Sequence, residues 1–194
     1  MKFEEIRSSK LYKEWIKPLF IALLIALFIR TLFVQAYKIP TGSMRPTLKE
    51  GDRILVSKLN YGPRIPFIGV RLPGFTKPER ADVVVFIYPE DKDKNFIKRL
   101  IAMGGEAVEI RNGNIYIDDR LVTDPVVGEK VYYNRGPFGE DNKKITVPEG
   151  NYFVLGDNSS SSKDSRYWGF VPEKDIIGRA IIIYWPPRRI GLVK

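Results

Sequence analysis

The chain has 194 residues, 44% of them apolar, so it is long enough for one domain plus an appended segment and can bury a core. It contains no cysteine and no histidine, which excludes disulfides, thiolate chemistry, Ser-His-Asp triads, HExxH sites and His-ligated metals. Any acid–base catalyst must then be Lys, Asp, Glu or Tyr, and the net charge of +9 comes from basic residues scattered among acidic ones, without the Lys/Arg stripe of a nucleic-acid binder.

Residues 1–17 carry Lys2, Arg7, Lys10, Lys13 and Lys17 against Glu4, Glu5 and Glu14 and read as a cytoplasmic segment. Pro18–Tyr37 is a run of 20 residues that reads as a transmembrane helix, since a helix of that length spans about 30 Å, the thickness of a bilayer core. Pro18 suits a first helical turn. Arg30, past the midpoint, can snorkel outward, and Tyr37 and Lys38 suit the far interface. Two alternatives stand beside the anchor. One is a cleaved signal peptide with its apolar region at Leu19–Ile29 and Val34-Gln35-Ala36 as a weak processing site; the other is a buried helix. The basic N-terminus places residues 38–194 on the extracytoplasmic side.

Beyond residue 38 the pattern is short β-rich runs between turn residues. Strands are expected at Asp52–Lys58, Asp82–Tyr88, Asn95–Met103, Ala107–Ile110, Asn114–Asp118, Lys130–Tyr133, Lys144–Val147, Tyr152–Leu155 and Arg179–Trp185. Asn112-Gly113 between alternating residues predicts a hairpin. Residues 61–80, with four prolines and three glycines, read as an extended loop. The expected fold is mostly β: a partly barrel-like antiparallel domain behind one N-terminal membrane helix. No glycine pattern frames a nucleotide site.

Three segments could hold chemistry. Ile39-Pro40-Thr41-Gly42-Ser43-Met44-Arg45-Pro46-Thr47-Leu48 sets a Gly-Ser pair between prolines, a rigid turn that could present a hydroxyl or merely enter a domain. Asn95 to Gly105 places Lys98 in an apolar strand, either as an edge residue that snorkels or as a desolvated amine. Only about one ordinary lysine in 2,500 is neutral at pH 7, and burial can lower its pKa by about 3–5 units. Gly156 to Pro172 is a polar stretch between apolar strands, either a surface loop or a functional one.

Taken in order, these segments resemble the bacterial type I signal peptidases, membrane serine proteases that remove signal peptides from exported preproteins. The similarity rests on Pro40 to Leu48, Ala81-Asp82-Val83-Val84-Val85-Phe86, Lys98 to Glu106, and Gly156-Asp157-Asn158 through Asp164-Ser165-Arg166 to Gly169. It implies Ser43 as nucleophile and Lys98 as general base, with the Thr41 hydroxyl and the Ser43 N–H as the oxyanion hole. It also implies that Ser162 orients the lysine and that Asp164 and Arg166 form a supporting ion pair, with Asp157 and Met44 among the supports. Tyr37, Ile39 and Ile97 would line shallow pockets for small side chains. The implied partners are preprotein signal peptides and the lipid bilayer, with no nucleic acid, no metal and no cofactor, and the protein is expected to be a monomer. The chain is short for the family, which implies that extra domains and a second anchor are absent. It departs from the usual pattern at Thr41 and Ala81, commonly serine and glycine. It departs also at Ser159-Ser160-Ser161, in place of an Arg-Asp-Asn type sequence, and at Ala102-Met103-Gly104, in place of a Gly-Leu-Pro type turn. Rival readings are another Ser/Lys self-cleaving peptidase and a non-catalytic tethered module that binds extended peptides.

Overall fold

The computed structural model describes residues 12–63 and 71–194. Part of the proline-rich loop expected at 61–80, and most of the basic N-terminal segment, lie outside the described residues.

The first element is a turn of π-helix, Tyr12–Ile16, that runs into helix α1, Lys17–Leu32. Together they form 21 residues, long and apolar enough to cross a membrane. The helix is apolar all round and, short of its C-terminal end, buries none of its side chains against the described residues: Leu19 is 73% and Phe20 57% exposed, which suits a lipid environment rather than water. It ends five residues earlier than the apolar run suggests. Val34–Lys38 is not helix but strand β1, paired antiparallel with β2, Arg53–Ser57. The reason is local competition for backbone partners. Lys58 caps the end of α1, its Nζ donating to the carbonyls of Arg30 (3.3 Å) and Thr31 (3.2 Å) and its N–H to that of Phe33. A cation at a helix C-terminus also complements the macrodipole. The residues after the cap then find a ladder partner in β2. The helix long and apolar enough to cross a membrane is therefore Tyr12–Leu32, where the sequence alone suggests Pro18–Tyr37.

The remaining strands are β3 (Val83–Ile87), β4 (Asn95–Met103), β5 (Ala107–Arg111), β6 (Asn114–Ile117), β7 (Arg120–Leu121), β8 (Ile145–Thr146), β9 (Asn151–Leu155), β10 (Val171–Pro172), β11 (Ile176–Trp185) and β12 (Gly191–Leu192). They make two antiparallel sheets. The larger runs β1-β2-β11-β3-β4-β9-β10, with β12 added to β11; the smaller runs β7-β6-β5-β8. Register slips in β11 and β4 mark bulges that bend the larger sheet. The fold is thus mostly antiparallel β behind an N-terminal apolar helix, as expected. β4 keeps its predicted bounds. Asn112 and Gly113 both take positive φ between the paired Arg111 and Asn114, the backbone of a two-residue hairpin turn. Lys130–Tyr133, expected as a strand, is irregular. Its alternation is real, since Tyr132 is buried while Val131 and Tyr133 are exposed. The Tyr132 N–H, however, goes to the Gly113 carbonyl at a hairpin end, and no ladder forms.

For the site, the layout of β4 matters most. Its whole length faces β3 or the loop before it, but β9 pairs only Arg99–Met103. Residues 95–98 therefore have one edge that no described strand covers. β1 stands at the end of the larger sheet, and its outer edge is free in the same sense.

Candidate active site

Ser43 sits in a single 3-10 turn, Gly42–Met44, entered from extended Thr41 (φ −133°, ψ 156°). Met44 and Leu48 anchor this turn. Both are fully buried in one apolar cluster with Ile39, Ile54 and Val56. From the other side Asn158 grips the turn, its N–H donating to the Ser43 carbonyl (3.0 Å) and its Nδ2 to the Gly42 carbonyl (3.1 Å). Gly156 makes this approach possible, because a Cβ there would stand 2.6 Å from the Ser43 carbonyl oxygen and would overlap Ser162 Oγ.

Lys98 comes to the same turn from β4. Its Nζ lies 2.8 Å from Ser43 Oγ and 3.0 Å from the Ile97 carbonyl, and 5.4 Å from the centre of the Phe96 ring. At 4% exposure it is not an edge lysine with a solvated tip. Burial pushes its pKa down to about 8, against the upward pull of Asp164 and Asp157. Among the described residues no carboxylate bonds it. At that pKa about one molecule in ten carries the neutral amine at pH 7.

Two buried ion pairs stand behind Ser43 and Lys98. Arg99 meets Asp157 side by side, Nε to Oδ1 at 2.7 Å and Nη2 to Oδ2 at 2.5 Å, and Thr47 Oγ1 adds a third bond to that carboxylate. Arg166 meets Asp164 in the same way at 2.7 and 2.8 Å, and the Gly156 N–H donates to Asp164 Oδ2. All four side chains are sealed from solvent. Ser162 is buried next to Gly156, but its Oγ has no hydrogen-bond partner among the described residues. The expected bond from Lys98 to Ser162 is therefore not formed in this structure; the lysine's bonds go to Ser43 and the Ile97 carbonyl. Tyr37, Ile39 and Ile97 come together with Ile54 and Val85 around an apolar pocket of about 40 Å³. An enclosed water needs about 10–15 Å³ of such space, so the pocket suits a small side chain.

The family model described as signal peptidase, peptidase S26, matches residues 12–185. The chain belongs to that family. It is 34% identical to signal peptidase I of Pseudomonas aeruginosa, over 97% of this chain and 78% of that protein. It is 36% identical to the probable signal peptidase I-2 of Synechocystis sp., over 99% and 82%, and 35% identical to signal peptidase I of Aquifex aeolicus, over 89% and 84%. The protein is a serine endopeptidase of the signal peptidase I type, which removes signal peptides from preproteins.

Sequence reasoning gave no role to several residues that the enzyme uses to build this site. Arg99 was visible only as the neighbour of Lys98, yet its guanidinium also donates to the carbonyl of Ala81 (2.6 Å) and to the main-chain oxygen of Lys194 (3.0 Å). The available signal was an acid, Asp157, just after the apolar run Tyr152–Leu155, where a buried carboxylate needs a cation. The serine run departs from the family sequence without leaving the loop unbonded. Ser159 Oγ accepts from the Tyr133 N–H and from Arg166 Nη1, both at 2.8 Å. Ala81 has φ 74°, the left-handed region a glycine would enter freely, and is held there by its own N–H bond to the Leu100 carbonyl and by Arg99.

Proposed function

We propose that Ser43 is the nucleophile and Lys98 the general base of this peptidase. The observation that carries the reading is the 2.8 Å approach of Lys98 Nζ to Ser43 Oγ inside a buried site where, among the described residues, no carboxylate bonds the amine. A neutral Lys98 takes the hydroxyl proton as Ser43 Oγ attacks the scissile carbonyl carbon. The Ser43 N–H and the Thr41 hydroxyl stabilise the oxygen that gains charge. Lys98 then gives its proton to the departing amine, leaving an ester on Ser43. A water that loses its proton to Lys98 hydrolyses that ester and restores the serine. The ammonium formed midway has three protons to place. Ser43 Oγ and the Ile97 carbonyl take two, and we assign the third to Ser162, whose buried hydroxyl is otherwise unpartnered among the described residues. Asp157, Asp164, Arg166 and Met44 hold the frame.

The substrate lies as an extended strand between β1 and residues 95–98, where both edges are uncovered. Alternate side chains enter the small pocket of Tyr37, Ile39 and Ile97, which suits cleavage after a small-x-small sequence. The apolar helix anchors the enzyme by a single pass, with residues 38–194 outside the cytoplasm. The enzyme works as a monomer on the bilayer surface, without metal, cofactor or nucleic acid. The test is incubation of the lipid-supplemented, detergent-solubilised protein and its Ser43→Ala form with a preprotein bearing an Ala-x-Ala site. Cleavage after the second alanine by the parent alone is expected. Equal cleavage by both forms removes Ser43 as nucleophile.

A further inference from the structure

A second, wider space lies beside the small apolar pocket. Gln35, Tyr37 and Ile39 alternate along β1 and the residue after it, and Asn95 and Ile97 alternate on β4. Ile39 and Ile97 stand nearest the dyad, Tyr37 one step further and Gln35 two steps. A cavity of about 430 Å³ shares Tyr37 and Asn95 with the small pocket and continues to Gln35. Its apolar lining is Ile87 and Ile177, and its polar lining includes Lys58, Lys92 and Asp93. Both lysines are already engaged. Lys58 holds the carbonyls at the end of α1, and Lys92 Nζ lies 2.9 Å from Asp175 Oδ2. Asp93 adds an exposed carboxylate. With Lys92 neutralised by Asp175, the cavity combines an apolar floor with amide groups, one ammonium (Lys58) and one carboxylate (Asp93).

A substrate strand advances about 6.6 Å for every two residues. With the residue before the cleaved bond at Ile39 and Ile97, the third residue upstream reaches Tyr37 and the fifth reaches Gln35. We propose that this cavity is a subsite for the side chain five residues before the cleaved bond, and that it selects a long, uncharged polar side chain of the glutamine type. An apolar stem fits against Ile87 and Ile177, and an amide tip finds both donors and acceptors. A charged tip meets a like charge whichever its sign, Asp93 or Lys58. The inference rests on the reading of the substrate as an extended strand at the Ser43–Lys98 dyad.

The experiment uses the full chain in lipid-supplemented detergent and a set of Ala-x-Ala preproteins that differ only in the fifth residue, as glycine, glutamine, glutamate or lysine. Glutamine is expected to exceed glycine about tenfold in kcat/KM, mostly through KM, with glutamate and lysine below glutamine. Gln35→Trp fills the cavity from β1 and is expected to bring the glutamine-to-glycine ratio close to one. Ile177→Phe narrows the floor and is expected to act in the same direction, so a folding failure of the first variant leaves a second to decide. Equal cleavage of the glutamine and glycine substrates by the parent overturns the subsite while the dyad reading stands. A preference that survives in the folded variants overturns its assignment to this cavity. A parent that cleaves none of the set overturns the dyad reading and the subsite with it.

Discussion

Lys98 and Arg99 follow one another on β4, point to opposite faces and are both all but sealed from solvent, at 4% and 0% exposure. Arg99 meets a carboxylate in a side-by-side pair and spends further donors on Thr47, Ala81 and Lys194. Lys98 meets a hydroxyl and a carbonyl, neither of which carries a charge. A buried cation keeps its proton when a partner compensates the lost water, and loses it when none does. The two faces of one strand therefore do different jobs with the same sign of charge. One is a guanidinium paired with Asp157, behind the turn that carries Ser43. The other is an amine poised to be neutral. Arginine could not serve on the second face, since its guanidinium does not deprotonate in proteins.

The strongest way to break this contrast is to make the two faces alike. Lys98→Arg and Lys98→Met should each lower kcat/KM by about 10⁴-fold, the upper end of what a positioned base contributes, with the fold retained by circular dichroism. Substantial activity in Lys98→Arg would show that the amine need not lose its proton. On the opposite face, Arg99→Leu strands the Asp157 carboxylate in the interior and should destabilise the protein by about 3–5 kcal/mol in denaturant unfolding. A loss well under 1 kcal/mol would mean that Lys130, 3.8 Å from the same carboxylate, replaces the arginine.

Of these two neighbours, only one was legible as a candidate in the sequence, and its chemistry was not. The bounds of β4 could be read because apolar residues run along it. An apolar run shows that Lys98 sits in a strand but not that its tip is desolvated, since an edge lysine has the same neighbours in sequence. The groups that settle it, Ser43 and the 156–166 loop, come from chain segments 55 or more positions away. The same limit explains β1. Val34–Lys38 continues an apolar run, and only its partner β2 and the cap from Lys58 turn it from helix to strand. The serine run reads as a surface loop because the guanidinium that orders Ser159 lies seven residues on, and the N–H it accepts lies 26 residues back.

A smaller test of the contrast is titration. Because burial lowers the Lys98 pKa to about 8, the neutral fraction grows from about a tenth at pH 7 to about nine tenths at pH 9. The value of kcat/KM should rise about tenfold over that interval and then level off. Stability moves the same way. Between about pH 8 and the ordinary lysine pKa, the unfolded chain holds a proton that the folded chain has released, so raising the pH in that window favours the fold. A rate that peaks in acid and falls by neutral pH would contradict both statements.

The smallest expected effect asks whether a carboxylate alone is enough to keep a buried cation cheap. Arg166 has its carboxylate in Asp164, yet it also relies on Ser159, which offers both its hydroxyl and its carbonyl oxygen. In Ser159→Ala the ion pair survives, but one guanidinium donor loses an acceptor and the Tyr133 N–H loses its partner. Leaving buried donors unmade costs about 1–3 kcal/mol. Water can reach this loop at Ser160 and Ser161, which are exposed, so the lower part of that range is expected. The measurement is a denaturant or thermal unfolding curve, with a loss of about 1 kcal/mol and a midpoint lowered by about 3 °C. The pH profile should keep its midpoint, because the substitution leaves the wall around Lys98 in place. An unchanged unfolding curve would mean that the carboxylate by itself compensates Arg166, and that the remaining bonds in the loop add geometry without stability. A midpoint moved toward the ordinary lysine pKa would instead tie Ser159 to the desolvation of Lys98 and join the two faces of β4 into one electrostatic unit.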